Sequence, residues 1–335
     1  MSPRTDAMDL FLTLSGWGQA QRSTLAGDAS NRRYDRLIHP ELGRAVLMDA
    51  PPEKGEDIRP FITIATHLRS AGLSAPQVLA RDEPHGFLIL EDLGDDLFAR
   101  VLTQDLSREA ELYDAAIDAL LVAQNHAAPE ALAQYGPLEM AQTAMLAPDW
   151  YLAQTQPVSD AQRGAFHDIV HGLLDHHLSA PFVLVQRDYH AENLLWLPDR
   201  DGVARVGLLD FQDAMLGPAA YDVASLLNDA RRDVSPTIQE AALTRYITRS
   251  GVAEDAFRAS YALCSAQRNL RILGVFARLC IRDGKPHYPD LLPRVWANLQ
   301  SDLTHPALAG LKAWVEAHMP PPTPDIIAQI KAAHV

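Results

Sequence analysis

The spacing of hydrophobic and polar positions changes near residue 93 and divides the chain into two parts. Before this point, short apolar runs alternate with turn residues, as in β-strands, and one stretch with helical spacing lies among them. That stretch is residues 55–72, where Ile58, Phe61 and Leu68 recur on one helical face and Gly72 is the expected stop. The strands are predicted at residues 21–25, 32–39, 44–49, 76–82 and 86–92.

Beyond residue 93 the spacing is mostly helical, through residues 105–180 and again through 220–335. Three short strands interrupt it, within residues 181–186, 193–197 and 204–210. The pattern predicts an α+β fold with two domains. Residues 1–93 would form a small lobe of β-sheet with one main helix, and residues 94–335 a larger, mainly helical lobe.

Composition narrows the classes of partner. The chain has 335 residues, 47% of them hydrophobic, and a formal net charge of -14, which repels nucleic-acid phosphates. No apolar run approaches the roughly 20 residues that a membrane span needs. Cys264 and Cys280 lie in helical stretches without metal-ligand spacing, which is typical of free thiols in a reducing compartment. We expect a soluble cytoplasmic protein that binds neither nucleic acid nor membrane.

Three polar residues at the ends of the short strands carry the candidate chemistry. Asn193 follows Asp188 by five positions, and Asp210 ends the hairpin that begins at Asn193. Phosphoryl transfer needs a positioned nucleophile, a proton acceptor and metal ions that neutralise charge. The pattern predicts Asp188 as the proton acceptor, and Asn193 and Asp210 as Mg²⁺ ligands.

Two stretches around these residues, "QRDYHAEN" and "LLDFQDAMLGPAAYDVASLL", resemble the aminoglycoside phosphotransferase superfamily. Gln186 stands where that family usually has His. The resemblance implies a two-lobed protein-kinase-like fold, an ATP-dependent kinase activity that uses Mg²⁺, and a structural role for Asp222.

The nucleotide side of such a fold is expected on the N-terminal lobe. Gly27, Ser30 and Asn31 lie between the first two strands, where backbone N–H groups can face phosphate oxygens. An ordinary hairpin turn is the alternative for this loop. The segment "FLILEDLG" resembles the hinge, with adenine bonding to backbone groups near Glu91 and Leu93.

The third strand lacks the lysine that kinases direct at the α- and β-phosphates. Met48 occupies the expected position, and the predicted helix has no mid-helix Glu to pair with such a lysine. Because both members of the usual ion pair are missing, we expect a rearranged phosphate site. Arg32 or Arg33 on the second strand is the candidate replacement.

Further segments narrow the resemblance to bacterial anomeric kinases of N-acetylmuramate and N-acetylglucosamine. They are "MDAPP", "GDASNRRY", "LEDLG" and residues 267–289. The resemblance implies an amino-sugar substrate, phosphorylated on its C1 hydroxyl in peptidoglycan recycling. Gln267, Arg268 and Arg271 are then candidates to line the acceptor site, and surface positions on a structural helix are the alternative.

Two other interpretations stay open at this point. Acidic residues near the motif, such as Glu192 and Asp213, suit a cationic acceptor, so an aminoglycoside- or choline-type phosphotransferase is one of them. A catalytically silent nucleotide-binding regulator is the other, because of Met48. The sequence leaves the oligomeric state undetermined.

Overall fold

The chain forms two units, each built from two stretches of sequence. One contains Met1–Arg108 and Glu192–Ala214, and the other contains Glu109–Ala191 and Met215–Val335. The chain therefore passes between the units three times, after residues 108, 191 and 214, and the second passage lies inside the segment predicted to be catalytic. The predicted lobe boundary at residue 93 stays a prediction. The structure is a computed structural model that describes residues 3–25, 31–178 and 181–333.

The helices and strands follow the predicted order. The strands are β1 (Gln21–Thr24), β2 (Arg33–His39), β3 (Gly43–Asp49), β4 (Val78–Asp82), β5 (Phe87–Glu91), β6 (Val183–Val185), β7 (Leu194–Trp196), β8 (Val206–Leu208) and β9 (Met215–Gly217). The α-helices are α1 (Pro3–Leu14), α2 (Arg59–Ser70), α3 (Phe98–Gln104), α4 (Glu109–Asn125), α5 (Pro137–Ala144), α6 (Asp160–His177), α7 (Ala220–Leu227), α8 (Pro236–Ser250), α9 (Glu254–Ile281), α10 (Leu292–Asp302), α11 (Ala309–His318) and α12 (Pro324–Ala332).

The first unit contains an antiparallel sheet of five strands in the order β1-β2-β3-β5-β4. β5 lies between two neighbours, and Phe87 to Leu90 are all buried, which explains its continuous apolar run. On one side, Phe11 and neighbouring residues of α1 pack in a core with Leu47 and Phe87. The Phe11 and Phe87 rings are 5.8 Å apart between centroids. The hairpin β7–β8 belongs to the same unit.

Helix α2 shows how local sequence sets its limits. Phe61 and Leu68 belong to its buried face, at the predicted helical spacing. Gly72 has φ 81°, and the N–H of Leu73 donates to the carbonyl of Leu68 over 3.1 Å. This is the closure that glycine permits just beyond a helix, because it has no Cβ to oppose a left-handed backbone. The predicted stop at Gly72 is confirmed.

The second unit is mainly helical and packs around α9, a helix of 28 residues that is buried along much of its length. Gly274 allows a close approach: a Cβ at this position would lie 2.1 Å from the backbone carbonyl carbon of Leu146. Cys264 and Cys280 are buried free thiols, as the sequence predicted. Among the helices described, none has the length and apolar character needed to cross a membrane.

Candidate active site

The loop after β6 is fixed by one carboxylate of α7. Asp222 is fully buried, and its two oxygens accept hydrogen bonds from the backbone N–H groups of Gln186 (2.6 Å) and Arg187 (2.9 Å). Burial raises the pKa of Asp222 to about 7, against the opposing effect of these two hydrogen bonds. Arg187 has φ 74°, a conformation that costs a non-glycine residue free energy. The structure therefore holds a strained turn immediately before Asp188.

A second contact fixes the loop on the other side of Asp188. The hydroxyl of buried Tyr189 donates to the carbonyl oxygen of Ala116 in α4, over 2.7 Å. Ser225 of α7 also donates its hydroxyl to the carbonyl oxygen of Arg187, over 3.3 Å. With both neighbours of Asp188 anchored, the position of its carboxylate is set by the helices of the second unit.

Asp188 is partly exposed and lies among positive charges. Burial acts to raise the pKa of its carboxyl, but the positive charges of Arg271, Arg268 and Arg187 outweigh burial and hold that pKa below its usual value. The group is therefore an ionised carboxylate at neutral pH. An ionised carboxylate accepts hydrogen bonds and can take a proton from a hydroxyl.

In the first unit, the structure brings Asn193 and Asp210 together across the β7–β8 hairpin. The N–H of Leu209 donates to the carbonyl oxygen of Asn193 over 2.9 Å, and Asn193 Nδ2 lies 3.5 Å from Asp210 Oδ2. Gln212 Nε2 donates to Asp210 Oδ1 over 2.7 Å. Asp210 has φ 58°. Together with Arg187, it completes the pair of non-glycine residues with positive φ in the part of the chain described.

This pair fits a magnesium ion better than a structural transition metal. Mg²⁺ takes one or two protein oxygen ligands and completes its shell with water and substrate phosphates. Across residues 3–25, 31–178 and 181–333, no three histidine, cysteine, aspartate or glutamate side chains are grouped to hold a metal. An amide and a carboxylate at this separation can supply one oxygen each to a single ion, once the Asn193 amide turns its oxygen toward that ion.

On the nucleotide side, Gly27 and Ser30 lie outside the described residues. Asn31 is exposed and donates its backbone N–H to Glu56 Oε1 over 3.1 Å.

Arg32 forms an ion pair with Glu56, with 2.8 Å between Nε and Oε2, and both side chains are largely buried. Burial acts to lower the pKa of Arg32, but Tyr34, Glu56 and Asp213 outweigh it and raise that pKa. Arg32 is a charged group held in place by a carboxylate.

The position expected to carry lysine is a packing position. Met48 is buried in β3, opposite Tyr34 of β2 and Leu88 of β5. Helix α2 contains no acidic residue. An arginine–glutamate pair nevertheless exists in this unit, formed by Arg32 and Glu56. The glutamate was expected within the helix and lies instead in the loop before α2.

Other nucleotide-side residues have structural contacts. Arg33 is exposed, and its guanidinium pairs with buried Asp35, with 3.0 Å between Nη2 and Oδ2. Glu91 Oε2 accepts from Arg69 Nη1 and from the backbone N–H of Gln77, both over 3.2 Å. The Glu91 side chain is therefore bound within the first unit, which leaves backbone groups as the contacts predicted for adenine.

Leu93 also lies at the predicted hinge. It is buried in a small cluster with Leu195 and Leu197. Its side chain therefore packs against the β7–β8 hairpin of the same unit, and its predicted role in binding adenine falls on its backbone.

The acceptor-side candidates on α9 differ in their contacts. Gln267 is fully buried and donates from Nε2 to the carbonyl oxygen of Met140, over 2.7 Å, which favours a packing role. Arg268 is 4% exposed, with Nη1 3.4 Å from the carbonyl oxygen of Asn228. Arg271 Nη1 lies 3.4 Å from the hydroxyl of Tyr221. Of these three candidates, Arg268 and Arg271 have charges that act on Asp188.

The remaining acidic candidates, Glu192 and Asp213, are exposed residues of the first unit. Asp213 acts electrostatically on Arg32. This places Asp213 near the nucleotide-side cation of the same unit, and its predicted contact with an acceptor stays a prediction, as does that of Glu192.

Two buried polar residues of the second unit were not predicted from the sequence. His190 lies two positions after Asp188 and is 4% exposed, and Asp229 follows α7 and is 1% exposed. Their sequence signal is weak, because a single histidine or aspartate without a spacing partner matches no motif. Their burial, with Asp229 acting electrostatically on His190 next to the catalytic loop, identifies them only in three dimensions.

Comparisons with known proteins identify the family to which the chain belongs. A family described as "Phosphotransferase enzyme family" matches residues 22–259. A Caulobacter vibrioides protein called N-acetylmuramate/N-acetylglucosamine kinase is 40% identical, over 95% of this chain and 98% of its own length. A Pseudomonas aeruginosa protein with the same name is 38% identical, over 90% of each chain.

Among solved structures, the GDP complex of aminoglycoside 2'-phosphotransferase-IIIa superposes with a TM-score of 0.63. The match covers 90% of this chain and 99% of that one, at 12% sequence identity. A likeness at this identity shows the fold alone, and it confirms the predicted kinase-like architecture. Because the family match extends over more than half of the sequence and includes Asp188, Asn193 and Asp210, the chain belongs to the phosphotransferase enzyme family.

Proposed function

We propose that this protein is an ATP-dependent kinase that phosphorylates the anomeric C1 hydroxyl of N-acetylmuramate and N-acetylglucosamine. The observation that carries the choice of substrate is the 40% identity, over nearly the full length of both chains, to a kinase named for these two sugars. The ionised carboxylate of Asp188 supports hydroxyl phosphorylation as the chemistry. We place the reaction in the cytoplasm, as a step in the recycling of cell-wall amino sugars.

Asp188 is the proton acceptor in this proposal. The C1 oxygen of the sugar attacks the γ-phosphorus of ATP, the bond from that phosphorus to the β–γ bridging oxygen breaks, and ADP leaves. The hydroxyl proton passes to the Asp188 carboxylate. Asp222 and Tyr189 act through the loop, because their hydrogen bonds fix the backbone on either side of Asp188. A fixed carboxylate orients the hydroxyl, which reduces the entropy that is lost on reaching the transition state.

Asn193 and Asp210 are proposed to hold Mg²⁺ with ATP. The ion, when bound, neutralises charge on the phosphates. The residues of this chain supply one amide oxygen and one carboxylate, on adjacent ends of a short hairpin whose strands keep them together. The bond from Gln212 to the second oxygen of Asp210 restricts rotation of that carboxylate.

Arg32 is proposed to replace the third-strand lysine as the phosphate-binding cation. Its pairing with Glu56 supports this, because a carboxylate that fixes a cation is what the usual lysine–glutamate pair supplies. A planar guanidinium can contact two phosphate oxygens at once. Arg33 is the weaker candidate, since its guanidinium is held by Asp35.

Two variants distinguish the proposed role of Asp188 from that of Asp210. We expect Asp188→Asn to lower kcat by about 10²–10⁴-fold, because it removes the basic carboxylate, while MgATP binding persists. Asp210→Ala should abolish turnover and weaken ATP binding only when Mg²⁺ is present. Steady-state kinetics and calorimetric titration of ATP, with and without Mg²⁺, give both readouts. Near wild-type kcat in Asp188→Asn, or unchanged MgATP affinity in Asp210→Ala, would contradict the respective assignment.

For the phosphate site, we expect Arg32→Ala to raise the KM for ATP by about tenfold or more, the effect of losing a charged hydrogen bond. Arg33→Ala is the matched control on the next residue and should change this KM much less. Met48→Leu, which conserves volume at a buried site, should leave it unchanged. Equal effects of Arg32→Ala and Arg33→Ala, or no effect of either, would rule out Arg32 as the specific replacement.

The anomeric assignment is tested with two sugars that differ by one oxygen. We expect N-acetylglucosamine to release ADP from ATP with Mg²⁺, and its 1-deoxy analogue to release none above background, because it lacks the attacking oxygen. A coupled ADP assay measures both. Turnover of the 1-deoxy sugar would place the phosphate elsewhere on the ring, and turnover of aminoglycosides or choline in its place would favour those acceptor classes.

A further inference from the structure

Several buried polar atoms beside the catalytic loop have no hydrogen-bond partner among the described residues. They are His190 Nδ1, Asp229 Oδ2, Arg268 Nε and Gln186 Nε2. Buried polar groups in folded proteins are nearly always paired, so each exception needs a cause. Such atoms occur elsewhere in the chain as well, but these four all belong to the second unit, on or beside the loop that carries Asp188.

Of these four residues, Asp229 has the strongest need for a hydrogen-bond partner. Its Oδ1 accepts from the backbone N–H of Arg231 over 2.8 Å, which fixes the orientation of the carboxylate. Its Oδ2 is buried and lacks a described partner, in a residue that is 1% exposed. A carboxylate oxygen removed from water without a hydrogen bond is costly. A bound ligand that donates a hydrogen bond would remove this cost.

His190 and Arg231 connect Asp229 to the catalytic loop. Arg231 Nη1 lies 3.4 Å from His190 Nε2, and the Arg231 side chain is exposed. Burial lowers the pKa of His190 to about 4, so its imidazole is neutral at neutral pH. A neutral imidazole has one donor and one acceptor nitrogen. Because Arg231 is exposed, its side chain can turn outward and open the way to His190 and Asp229.

The hydrogen-bonding capacity of Asp229, Arg268 and His190 indicates the kind of ligand that they can bind. The carboxylate of Asp229 accepts from hydroxyl groups and repels phosphate. Arg268 Nε donates, and neutral His190 does either. Donors and acceptors within one cluster suit an uncharged ring with several hydroxyls, each of which both donates and accepts. The charge of Arg268 also acts on Asp188, so such a ring would lie beside the proposed proton acceptor.

We infer that Asp229, with His190 and Arg268, forms the subsite that binds the non-reacting hydroxyls of the sugar acceptor. This inference rests on the proposed function and deepens it. The 3-hydroxyl of N-acetylmuramate is blocked by its lactyl ether, so the hydroxyls common to both sugars, besides the reacting one, are at C4 and C6. Asp229 binds at least one of these two. It therefore affects both sugars alike.

The test combines one variant with analogues that lack one hydroxyl. Asp229→Asn keeps the size of the side chain and an oxygen that can accept from the Arg231 N–H, but it removes the acceptor at Oδ2. We expect it to lower kcat/KM for both sugars by about tenfold to a hundredfold, mainly through KM, with the Kd for MgATP unchanged. Asp233→Asn is the matched control, because Asp233 lies four residues on, 82% exposed and paired with Arg294. It should behave as the wild type.

The analogues distinguish binding from folding. In the wild type, 4-deoxy- or 6-deoxy-N-acetylglucosamine should lose about tenfold or more in kcat/KM relative to the parent sugar. In Asp229→Asn that loss should shrink to within about threefold, since the partner of the missing hydroxyl is gone. A role of Asp229 in loop structure alone would lower activity on all sugars equally and keep the full loss.

The possible results distinguish a failure of the proposed subsite from a failure of the proposed function. Wild-type penalties that persist unchanged in Asp229→Asn, or an unchanged KM for both sugars, would overturn the subsite and leave the kinase assignment intact. A wild-type enzyme that phosphorylates neither sugar would overturn the proposed function, and the subsite with it. If Asp229→Asn fails to fold by circular dichroism, wild-type turnover of both deoxy sugars at the parent rate would still refute the subsite.

Discussion

The hydrogen bonds from Gln186 and Arg187 to Asp222 are the interaction on which the active-site geometry depends. The strained φ of Arg187 costs on the order of 1–3 kcal/mol. Two backbone N–H groups that donate to one carboxyl group, at 2.6 and 2.9 Å, can offset a cost of this size, because a hydrogen bond contributes about 0.5–1.5 kcal/mol, and about 1.5–3 kcal/mol where the acceptor is charged. Their effect is to present Asp188 at a fixed point, and Asp188 itself needs no contact with Asp222.

The same principle recurs at Asp210, on a different element. Its positive φ turns the chain at the end of the β7–β8 hairpin, and Gln212 and Asn193 contact its two carboxylate oxygens. Phe211, the next residue, packs its ring 5.0 Å from that of Phe61 in α2. In each unit, packing and hydrogen bonds hold one strained residue beside a polar group of the proposed mechanism. Strain concentrated in this way is typical of functional sites.

Much of this arrangement is predictable from sequence, because its signals are local. The spacing of Asp188, Asn193 and Asp210 can be read directly from the sequence, and the glycine after α2 predicts where that helix ends. Strand β9 was missed because three residues, Met215 to Gly217, show no periodicity and pair with residues distant in sequence, in β6 and at Gln134.

The Arg32–Glu56 pair was missed for a related reason. Its glutamate lies in a loop whose path is set by tertiary contacts, which no local pattern encodes. Asp229 illustrates the same limit, since its sequence neighbours carry no motif and its significance comes from burial beside the catalytic loop. Gly27 and Ser30 stay predictions, because they lie outside the described residues. The roles of the individual site residues likewise stay proposals.

The central claim is that phosphate is transferred to the anomeric oxygen of an amino sugar. The most direct measurement is a phosphorus–proton correlation NMR spectrum of the product formed from ATP, Mg²⁺ and N-acetylglucosamine. The account predicts that the new phosphorus signal couples to the anomeric proton of the sugar. Coupling to the C6 protons instead, or no phosphorylated sugar at all, would contradict it.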